Sequence, residues 1–492
     1  MSTASTQPSF LSTRKGKLTL ALVCAAGFLD AVDTTIVNVA LPSIRDHLHF
    51  TVQNLQWVLS GYLLTYGGLL LLGGRAADLL GRRRLLVAGT ALFGASSLLG
   101  GVASSPGMLI AARLAQGLGA AMMTPAALSI LTTSFDQGTD RIKAIGAWSG
   151  TVPLASALGV VLGGVLSQGP GWRWVFFVNV PASAALVGGA LRLLPDDRHR
   201  ATRRNFDAVG AILSTAAALL SVYALVNAPN VGWGTARTIV ELAVAATLVV
   251  GFVVNEHRHS NPLVPFSIFR IKGVAAADVT QVLAQAGFIS MFFFITVYMQ
   301  NVLGFSPIRA GLAYLPVTLG VGIGAGVSTK LLTRLGTRPI IVAGTMLGAG
   351  GVYWLSRIPV HGSYVSDLLP GLVVMAGGLG AVFVGVQNAA NADVPTDKAG
   401  LAAALITTSS MLGAALGLAT LTGIATNRTA HLLAAHAQAP AALTSGFHQA
   451  LLGCSIFLLL AAGIAIRATT SRSVPMPSSE PAEQRAREAQ PA

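Results

Sequence analysis

The sequence alternates fourteen times between an apolar run and a short polar stretch, and no other feature constrains its fold as strongly. A helix needs roughly 20 mostly apolar residues to cross a bilayer, and only helices and closed barrels satisfy the backbone there. Charged residues make up only 10% of the chain, against about 25% in soluble domains. The apolar runs lie near 18–41, 55–73, 85–104, 107–133, 144–167, 173–194, 207–227, 237–254, 273–299, 309–328, 339–357, 367–390, 400–425 and 447–466. We therefore predict an all-α polytopic membrane protein with fourteen transmembrane helices.

The distribution of Lys and Arg predicts how these helices are oriented. The terminal segments and every second loop hold 25 of the 32 basic residues, the other loops hold six, and Arg113 lies within a run. Because cytoplasmic loops are enriched in Lys and Arg, both termini are predicted to be cytoplasmic, in a bacterial inner membrane. Topology thus accounts for the net charge of +14, and no nucleic-acid partner is expected.

An internal repeat relates the two ends of the chain. The segments 74–84 and 329–339 align with a shift of 255 residues, which places Gly81 on Gly336. The repeat predicts two six-helix units, helices 1–6 and 9–14, with helices 7 and 8 as an insert. We therefore divide the chain into an N-terminal segment (1–17), a first six-helix half (18–194), a two-helix insert (195–272), a second six-helix half (273–467) and a disordered tail (468–492).

Three charged residues lie well inside predicted helices 1 and 4, where charge is expensive and usually functional. Asp30 and Asp33 lie one turn apart on helix 1. At 1.5 Å per residue, Asp33 is roughly 13 Å inward from Pro42 and Arg113 roughly 10 Å inward along helix 4. An ion pair between Asp33 and Arg113 is therefore geometrically possible. We hypothesise that Asp33 exchanges the transported proton, with Asp30 as a second titratable group or a binder of cationic substrate. The alternative is that the three charges only hold helices 1 and 4 together.

A polar and aromatic stripe on helix 9 is the main candidate for substrate binding. Asp278, Gln281 and Gln285 share one face and continue toward Phe288 and Phe292. Such a stripe suits bulky amphipathic compounds held by stacking and cation–π contacts, although a buried face satisfied by neighbouring helices would have the same pattern. Further predicted cavity residues are Tyr62, Tyr66 and Gln116.

Glycines spaced four residues apart predict close helix contacts. They serve either packing alone or the sliding of helices, and they are Gly159, Gly163 and Gly164 on helix 5, Gly322 and Gly326 on helix 10, and Gly413 and Gly417 on helix 13.

Four ordered motifs resemble the fourteen-span drug:proton antiporter branch of the major facilitator superfamily, a fold built from parallel six-helix repeats. The resemblance covers nearly all of 18–467, and its motifs are Leu29–Pro42, Gly74–Arg84, Arg113–Ala121 and Trp172–Pro181. It implies proton coupling at Arg113. In helix 5 the family's glycines stand at Gly159, Gly163 and Gly164, while Val160 replaces the family's proline.

The resemblance also implies a cytoplasmic gate in the loop between helices 2 and 3. Its residues would be Gly74, Asp78, Gly81 and Arg82. The alternative is a basic cluster that only sets topology.

These features predict a secondary transporter that exports small hydrophobic or amphipathic compounds, often cationic or aromatic, in exchange for protons. A uniporter or symporter for an organic solute, and a non-transporting sensor or scaffold, are the alternatives. The sequence has no phosphate-binding glycine loop, metal-ligand spacing or nucleophile motif, so neither an enzyme nor an ATP-driven pump is expected. We expect no cofactor or metal, the proton gradient as energy source, the substrate and the lipid bilayer as partners, and a monomer.

Overall fold

The structure is a computed structural model that describes residues 10–135, 139–195, 207–259, 262–271, 273–391, 394 and 399–468. Within these ranges it contains fourteen long helices and no strand. The helices are α1 Arg14–Leu48, α2 Trp57–Leu80, α3 Arg82–Gly101, α4 Pro106–Ser134, α5 Thr139–Leu166, α6 Asn179–Leu193, α7 Ala208–Val231, α8 Ala236–Arg258, α9 Val274–Asn301, α10 Leu315–Leu335, α11 Thr337–Leu355, α12 Leu369–Asn391, α13 Ala399–Ala434 and α14 Ala439–Ala468. Short helices Trp174–Phe177 and Pro307–Leu312 precede α6 and α10.

The helices have the length and composition of membrane spans. Ten helical stretches in the described part of the chain are long and apolar enough to cross a bilayer, and shorter apolar cores occur in α2 (Trp57–Leu70) and α7 (Val209–Leu225). The prediction of an all-helical membrane protein is therefore confirmed. The predicted tail 468–492 lies outside the described residues from 469 onward, as do most of the first terminal segment and residues 196–206.

Helix α1 is longer than its apolar run predicts. It begins at Arg14, where the Thr13 hydroxyl caps the Gly16 amide at 3.0 Å, and continues through Pro42 to Leu48. The predicted end near residue 41 is wrong because Pro42 stays within the helix. Arg45 consequently lies in the last turn of α1.

Packing follows the same pattern in the first and last six helices. In the first six, α1 packs on α5, α2 and α3 pack on α4, and α3 packs on α6. In the last six, α9 packs on α13, α10 and α11 pack on α12, and α11 packs on α14. Helix α7 packs on α8, α2 and α13, so this pair lies against the seam between the two groups.

Both copies of the sequence repeat form the same backbone feature. Gly81 lies between α2 and α3 with φ 99°, and Gly336 lies between α10 and α11 with φ 80°. Positive φ is open to glycine at little steric penalty, which explains why glycine occupies both positions. We call this side of the bundle, where α1 also begins, the Gly81 end.

The opposite side is called the Phe50 end, and there the first and last six helices are sealed together. The Gln300 side chain donates to the Val39 carbonyl oxygen at 2.9 Å. A Cβ added to Gly311, in the short helix before α10, would lie 2.7 Å from the Val160 carbonyl oxygen of α5. One apolar cluster spans this seam and includes Leu41, Leu48, Phe50, Phe294, Tyr298 and Phe305.

The predicted glycine contacts hold for α13 but not for α10. Added Cβ atoms on Gly413 and Gly417 would come within 2.4 Å of α9 atoms. Gly322 is exposed and has open space around it, as does Gly326. The spacing of four was right and the register wrong. On α10 it is Gly320 and Gly324 that contact α12, because their face is the one turned toward it.

Candidate functional site

Asp33 and Arg113 form an ion pair with no solvent exposure. Arg113 Nη1 lies 2.5 Å from Asp33 Oδ2, and both side chains are 0% exposed. Asp33 is near the middle of α1, and Arg113 is seven residues into α4. Because removing one partner of a buried pair costs about 3–5 kcal/mol, each of these two charges depends on the other.

Three neutral polar side chains complete the surroundings of the pair. The Gln116 amide donates to Asp33 Oδ1 and to Ser97 Oγ, at 2.7 and 2.8 Å. The Asn179 amide donates to the same Asp33 oxygen at 2.7 Å. Gln116 also accepts from Arg113 Nη1 at 2.7 Å. Asp33 therefore accepts three hydrogen bonds, and side chains of α1, α3, α4 and α6 meet around one carboxylate.

The guanidinium of Arg113 is fixed on its other sides by α2. Its Nε donates to the Val58 carbonyl oxygen at 2.8 Å, and its Cζ lies 4.3 Å from the ring centroid of Tyr62. Its Nη2 is buried without a hydrogen-bond partner. A cation this far from water depends on its carboxylate, its ring contact and its neutral acceptors.

Asp30 occupies a second, partly exposed site one turn from Asp33. The hydroxyl groups of Tyr62 and Tyr66 both donate to its carboxylate, the latter at 3.1 Å. Since the ring of Tyr62 also packs under Arg113, Tyr62 contacts both carboxylate sites. Tyr62 and Tyr66, predicted to line the cavity, therefore bind Asp30 and are almost fully buried.

Gln116 and Phe288, also predicted cavity residues, lie inside packed regions. Gln116 is fully buried in the Asp33 network. Phe288 is 0% exposed, and a Cβ added to Gly348 of α11 would lie 2.7 Å from its ring. Helix α11 therefore covers Phe288, although Phe288 shares a helix face with Gln281 and Gln285.

The remaining residues of the α9 stripe divide between buried and partly exposed. Gln285 and Phe292 are partly exposed, and the Phe292 ring lies 5.5 Å from that of Tyr314. Gln281 is 4% exposed and its carbonyl oxygen has no partner. Asp278 accepts from Ser409 of α13 at 3.0 Å. Along the stripe, Asp278, Gln281 and Phe288 are therefore buried, whereas Gln285 and Phe292 are partly exposed.

The glycines of α5 make close contacts on two sides. A Cβ on Gly159 would lie 1.9 Å from Thr35 Oγ1, and one on Gly163 would lie 2.8 Å from the Ile36 carbonyl oxygen, both on α1. A Cβ on Gly164 would lie 2.7 Å from Ile308 Cα, across the seam. These glycines let α5 contact α1 and the other half at once.

The predicted gate residues lie at the Gly81 end, but Gly74 and Asp78 are part of α2, and only Gly81 and Arg82 lie at its junction with α3. Arg82 donates to Thr133 Oγ1 at 2.7 Å, which joins the start of α3 to the end of α4. Gly74 is in ordinary contact with Pro125 of α4. The side chain of Asp78 lies outside the part of the structure that is described, so its predicted gating role stays a prediction.

Ser97 and Asn179 belong to the network but were not singled out from the sequence. Both are fully or almost fully buried polar residues inside apolar runs. Asn179 also stands within the motif Trp172–Pro181. Their position as neutral polar residues within predicted spans is the sequence feature that could have identified them.

Comparison with known proteins identifies the family of the chain. The family model of the Major Facilitator Superfamily matches residues 23–418. The chain is 37% identical over 431 residues to a puromycin resistance protein of Streptomyces alboniger, covering 87% of this chain and 85% of that protein. It is 37% identical to a cephamycin export protein of Amycolatopsis lactamdurans, covering 89% and 90%. It is 35% identical to a lincomycin resistance protein of Streptomyces lincolnensis, covering 83% and 84%.

Solved structures share the fold at low sequence identity. A bacterial homologue of the human lysosomal transporter Spinster, in an inward-facing conformation, superposes with a TM-score of 0.66 at 17% identity, covering 94% of this chain and 98% of that one. A D-xylose–proton symporter superposes with a TM-score of 0.62 at 12% identity, covering 92% and 98%. The chain, a multi-pass membrane transporter and not an enzyme, belongs to the major facilitator superfamily.

Proposed function

We propose that this protein exports hydrophobic or amphipathic antibiotic-like compounds in exchange for protons. The puromycin, cephamycin and lincomycin proteins named above support an exporter of this kind. The low charge content and the partly exposed Gln285 and Phe292 favour a substrate with aromatic or cationic parts. The protein would work as a monomer, with the proton gradient as its only energy source.

The topology that goes with this function is fourteen spans arranged as six, two and six. The matching packing patterns of α1–α6 and α9–α14 support this division, and α7 and α8 pack as a pair outside both groups. The units would be 18–194, 195–272 and 273–467. By the charge asymmetry of the loops, the Gly81 end and both termini face the cytoplasm.

The observation that carries the proton coupling is the Asp33 network. Protonation of Asp33 removes its charge and weakens the hydrogen bonds from Arg113, Gln116 and Asn179 together. Arg113 would then be a buried cation without its partner, a state that costs about 3–5 kcal/mol. A bias of about 5.5 kcal/mol moves a two-state equilibrium from 1:99 to 99:1. Loss of this single pair thus supplies a large part of the energy needed to switch between conformations.

The network is also placed to affect the seam between the halves. Asp33 lies within one helical turn of Ile36 and Val32, whose backbones contact Gly163 and Gly159 of α5. Helix α5 in turn contacts the segment before α10 through Gly164. A change at Asp33 would reach the sealed Phe50 end through α1 and α5, and Asp30, which is partly exposed, would pass protons between the cavity and Asp33.

Transport in proteoliposomes with an imposed pH gradient tests the proposal. Wild-type protein should move puromycin or lincomycin against its gradient when protons flow the opposite way, whereas Asp33→Asn should not. Asp46→Asn, which changes an exposed carboxylate of the same helix, is the matched control and should transport normally. Normal proton-driven export by Asp33→Asn would refute the coupling role.

The direction of the pH gradient that drives transport distinguishes an antiporter from a symporter or a uniporter. Uptake driven by protons moving with the compound would indicate a symporter, and transport unaffected by either gradient would indicate a uniporter. Susceptibility of a drug-sensitive strain that expresses wild type or Asp33→Asn, measured over a broad compound panel, would then define the substrate range.

A further inference from the structure

An apolar crevice of about 500 Å³ runs along the outer surface between α1 and α6. It extends from Leu18 to Val32 on α1 and from Val178 to Leu193 on α6, with Leu162 of α5 at its inner wall. Every lining residue is apolar except Asn179. At 1.5 Å per residue the α1 wall is about 21 Å long, somewhat more than the roughly 15 Å depth of one leaflet's hydrocarbon.

Exposed cations stand at the Gly81 end of this crevice. Arg14 and Lys15 are exposed and lie four and three residues before Leu18, on the same face of α1. Arg192 is exposed and directly precedes Leu193 on α6. None of the three makes an ion pair with another residue of the described ranges.

The cations on α1 occupy an electrostatically unfavourable position. Arg14 and Lys15 are the first two residues of the helix, where the helix dipole disfavours positive charge by about 0.3–1 kcal/mol each. A bound anion would offset this term. The crevice therefore combines an apolar channel of leaflet length with exposed cations at its Gly81 end.

We propose that this crevice is a binding site for an anionic phospholipid of the leaflet at the Gly81 end. One acyl chain lies between α1 and α6, and the phosphate lies at Arg14, Lys15 and Arg192. The occupant is a lipid and not a second protein copy, because a protein helix is too wide for a channel that Leu22, Leu29 and Leu186 line from both sides. It is a lipid and not the exported compound, because the exposed cations Arg14, Lys15 and Arg192 would attract a phosphate and repel a cationic compound.

The inner end of the site gives the lipid a consequence for the rest of the molecule. Asn179 lines the crevice and donates to Asp33 Oδ1 at 2.7 Å. An acyl chain in the crevice covers Asn179 with hydrocarbon and keeps water from the membrane side of the network. Protons would then reach Asp33 only from the side of Asp30.

Photolabelling of the full-length protein in nanodiscs tests the site directly, without reference to transport. The probes are phosphatidylglycerol and phosphatidylcholine, each with a diazirine in the acyl chain. We expect phosphatidylglycerol to label α1 and α6 peptides around Ala25 and Ala182 at least fivefold more than phosphatidylcholine does. Equal labelling by the two lipids, or labelling spread evenly over the exposed helices, would overturn the proposal.

Two kinds of variant separate the channel from its mouth. Ala182→Trp or Ala25→Trp fills the channel from either wall and should reduce labelling by both lipids severalfold, whereas Ala246→Trp on the exposed face of α8 should leave it unchanged. The double variant Lys15→Gln/Arg192→Gln should abolish the preference for phosphatidylglycerol and keep labelling by phosphatidylcholine. Arg258→Gln, which removes an exposed cation from the end of α8, is its control.

Other occupants would give different results in the same experiment. Loss of labelling on addition of puromycin would identify the crevice as a substrate passage and refute the lipid site. Labelling that appears only in the monomer fraction of a dimerising protein would identify a second copy as the occupant, and would refute it equally. If transport proves independent of protons while the labelling pattern holds, only the proposed function fails.

Discussion

The side-chain amide of Asn179 on α6 donates to Asp33 Oδ1 on α1 at 2.7 Å. This bond gives the carboxylate a neutral donor from a helix that carries no charge near it. Together with Gln116 it occupies one carboxylate oxygen and leaves the other to Arg113. The position of Asp33 is thus set by neutral donors as much as by its ion pair.

Replacing Asn179 by Leu should impair transport while preserving the fold. A hydrogen bond to a charged group contributes about 1.5–3 kcal/mol, and since about 1.4 kcal/mol corresponds to a factor of ten, we expect the initial transport rate to fall tenfold or more. The measurement is drug counterflow in proteoliposomes. Asn227→Leu on α7, whose amide bonds only the Tyr223 carbonyl oxygen of its own helix, should transport at the wild-type rate, and an equal rate for Asn179→Leu would contradict the role.

The ion pair could be predicted from the sequence, whereas its neutral partners could not. Helical rise is constant, so counting residues from the helix ends put Asp33 and Arg113 at similar depth. Charge inside a span is rare enough to identify both. Ser97 and Asn179 carry no charge, and the pattern along a single helix does not tell which neighbour a polar side chain will meet. That information lies in the packing of α3 and α6 against α1 and α4.

The same limit explains the errors among the glycines and aromatic residues. Gly322 and Gly326 have the correct spacing for a helix contact, but Gly320 and Gly324 face α12. Phe288 continues a sequence stripe and yet packs against α11. Periodicity predicts which residues share a face, and only the neighbouring helices decide which face is covered.

The ring of Tyr62 should stabilise Arg113 independently of its hydroxyl group. Tyr62→Phe keeps the ring 4.3 Å from the guanidinium, whereas Tyr62→Leu removes a contact of about 0.5–2 kcal/mol. The leucine variant should therefore melt a few degrees below the phenylalanine variant in detergent. The exposed pair of Arg357 and Tyr353 is the control, since Tyr353→Leu and Tyr353→Phe should melt together. A Tyr62→Leu protein as stable as Tyr62→Phe would show that the ring adds no cation–π stabilisation beyond the apolar surface that it buries.

Gly159→Ala should be destabilising because of one identified clash. The added Cβ would lie 1.9 Å from Thr35 Oγ1 and 3.0 Å from the Val32 carbonyl oxygen, and overpacking of this kind costs about 1–3 kcal/mol. We expect a lower melting temperature and reduced transport, with partial recovery in the double variant Gly159→Ala/Thr35→Ala. Gly188→Ala on α6 has open space and should be neutral or slightly stabilising. Failure of Thr35→Ala to restore any stability would show that the clash lies elsewhere.

Gly311→Val should open the seal at the Phe50 end. Its Cβ would lie 2.7 Å from the Val160 carbonyl oxygen of α5, a backbone atom that cannot move aside without moving the helix. The test is the maleimide labelling rate of Met299→Cys, a fully buried position of that seal, in detergent and in a background without Cys24 and Cys454. Labelling should be severalfold faster with Gly311→Val and unchanged with Gly322→Val, whose site is open. Equal rates in all three proteins would mean that the seal tolerates the added side chain.

Asp207→Ala should loosen α7 from α8. Asp207 caps α7 through the Gly210 amide at 2.8 Å and accepts from Asn255 of α8 at 2.9 and 2.7 Å. The next residue, Glu256, accepts from the Val264 amide at 3.0 Å, in the segment that leads to α9.

Loss of the cap alone costs about 0.5–2 kcal/mol, and the bridge to α8 is lost with it. Hydrogen exchange should therefore accelerate in the first turns of α7 and the last turn of α8, and the melting temperature should fall. Glu241→Ala breaks only the exposed pair with Arg237. Since a surface ion pair contributes about 0–1 kcal/mol, this variant should leave both measurements close to those of the wild type. Acceleration confined to α7 would show that Asp207 caps α7 but does not hold α7 to α8.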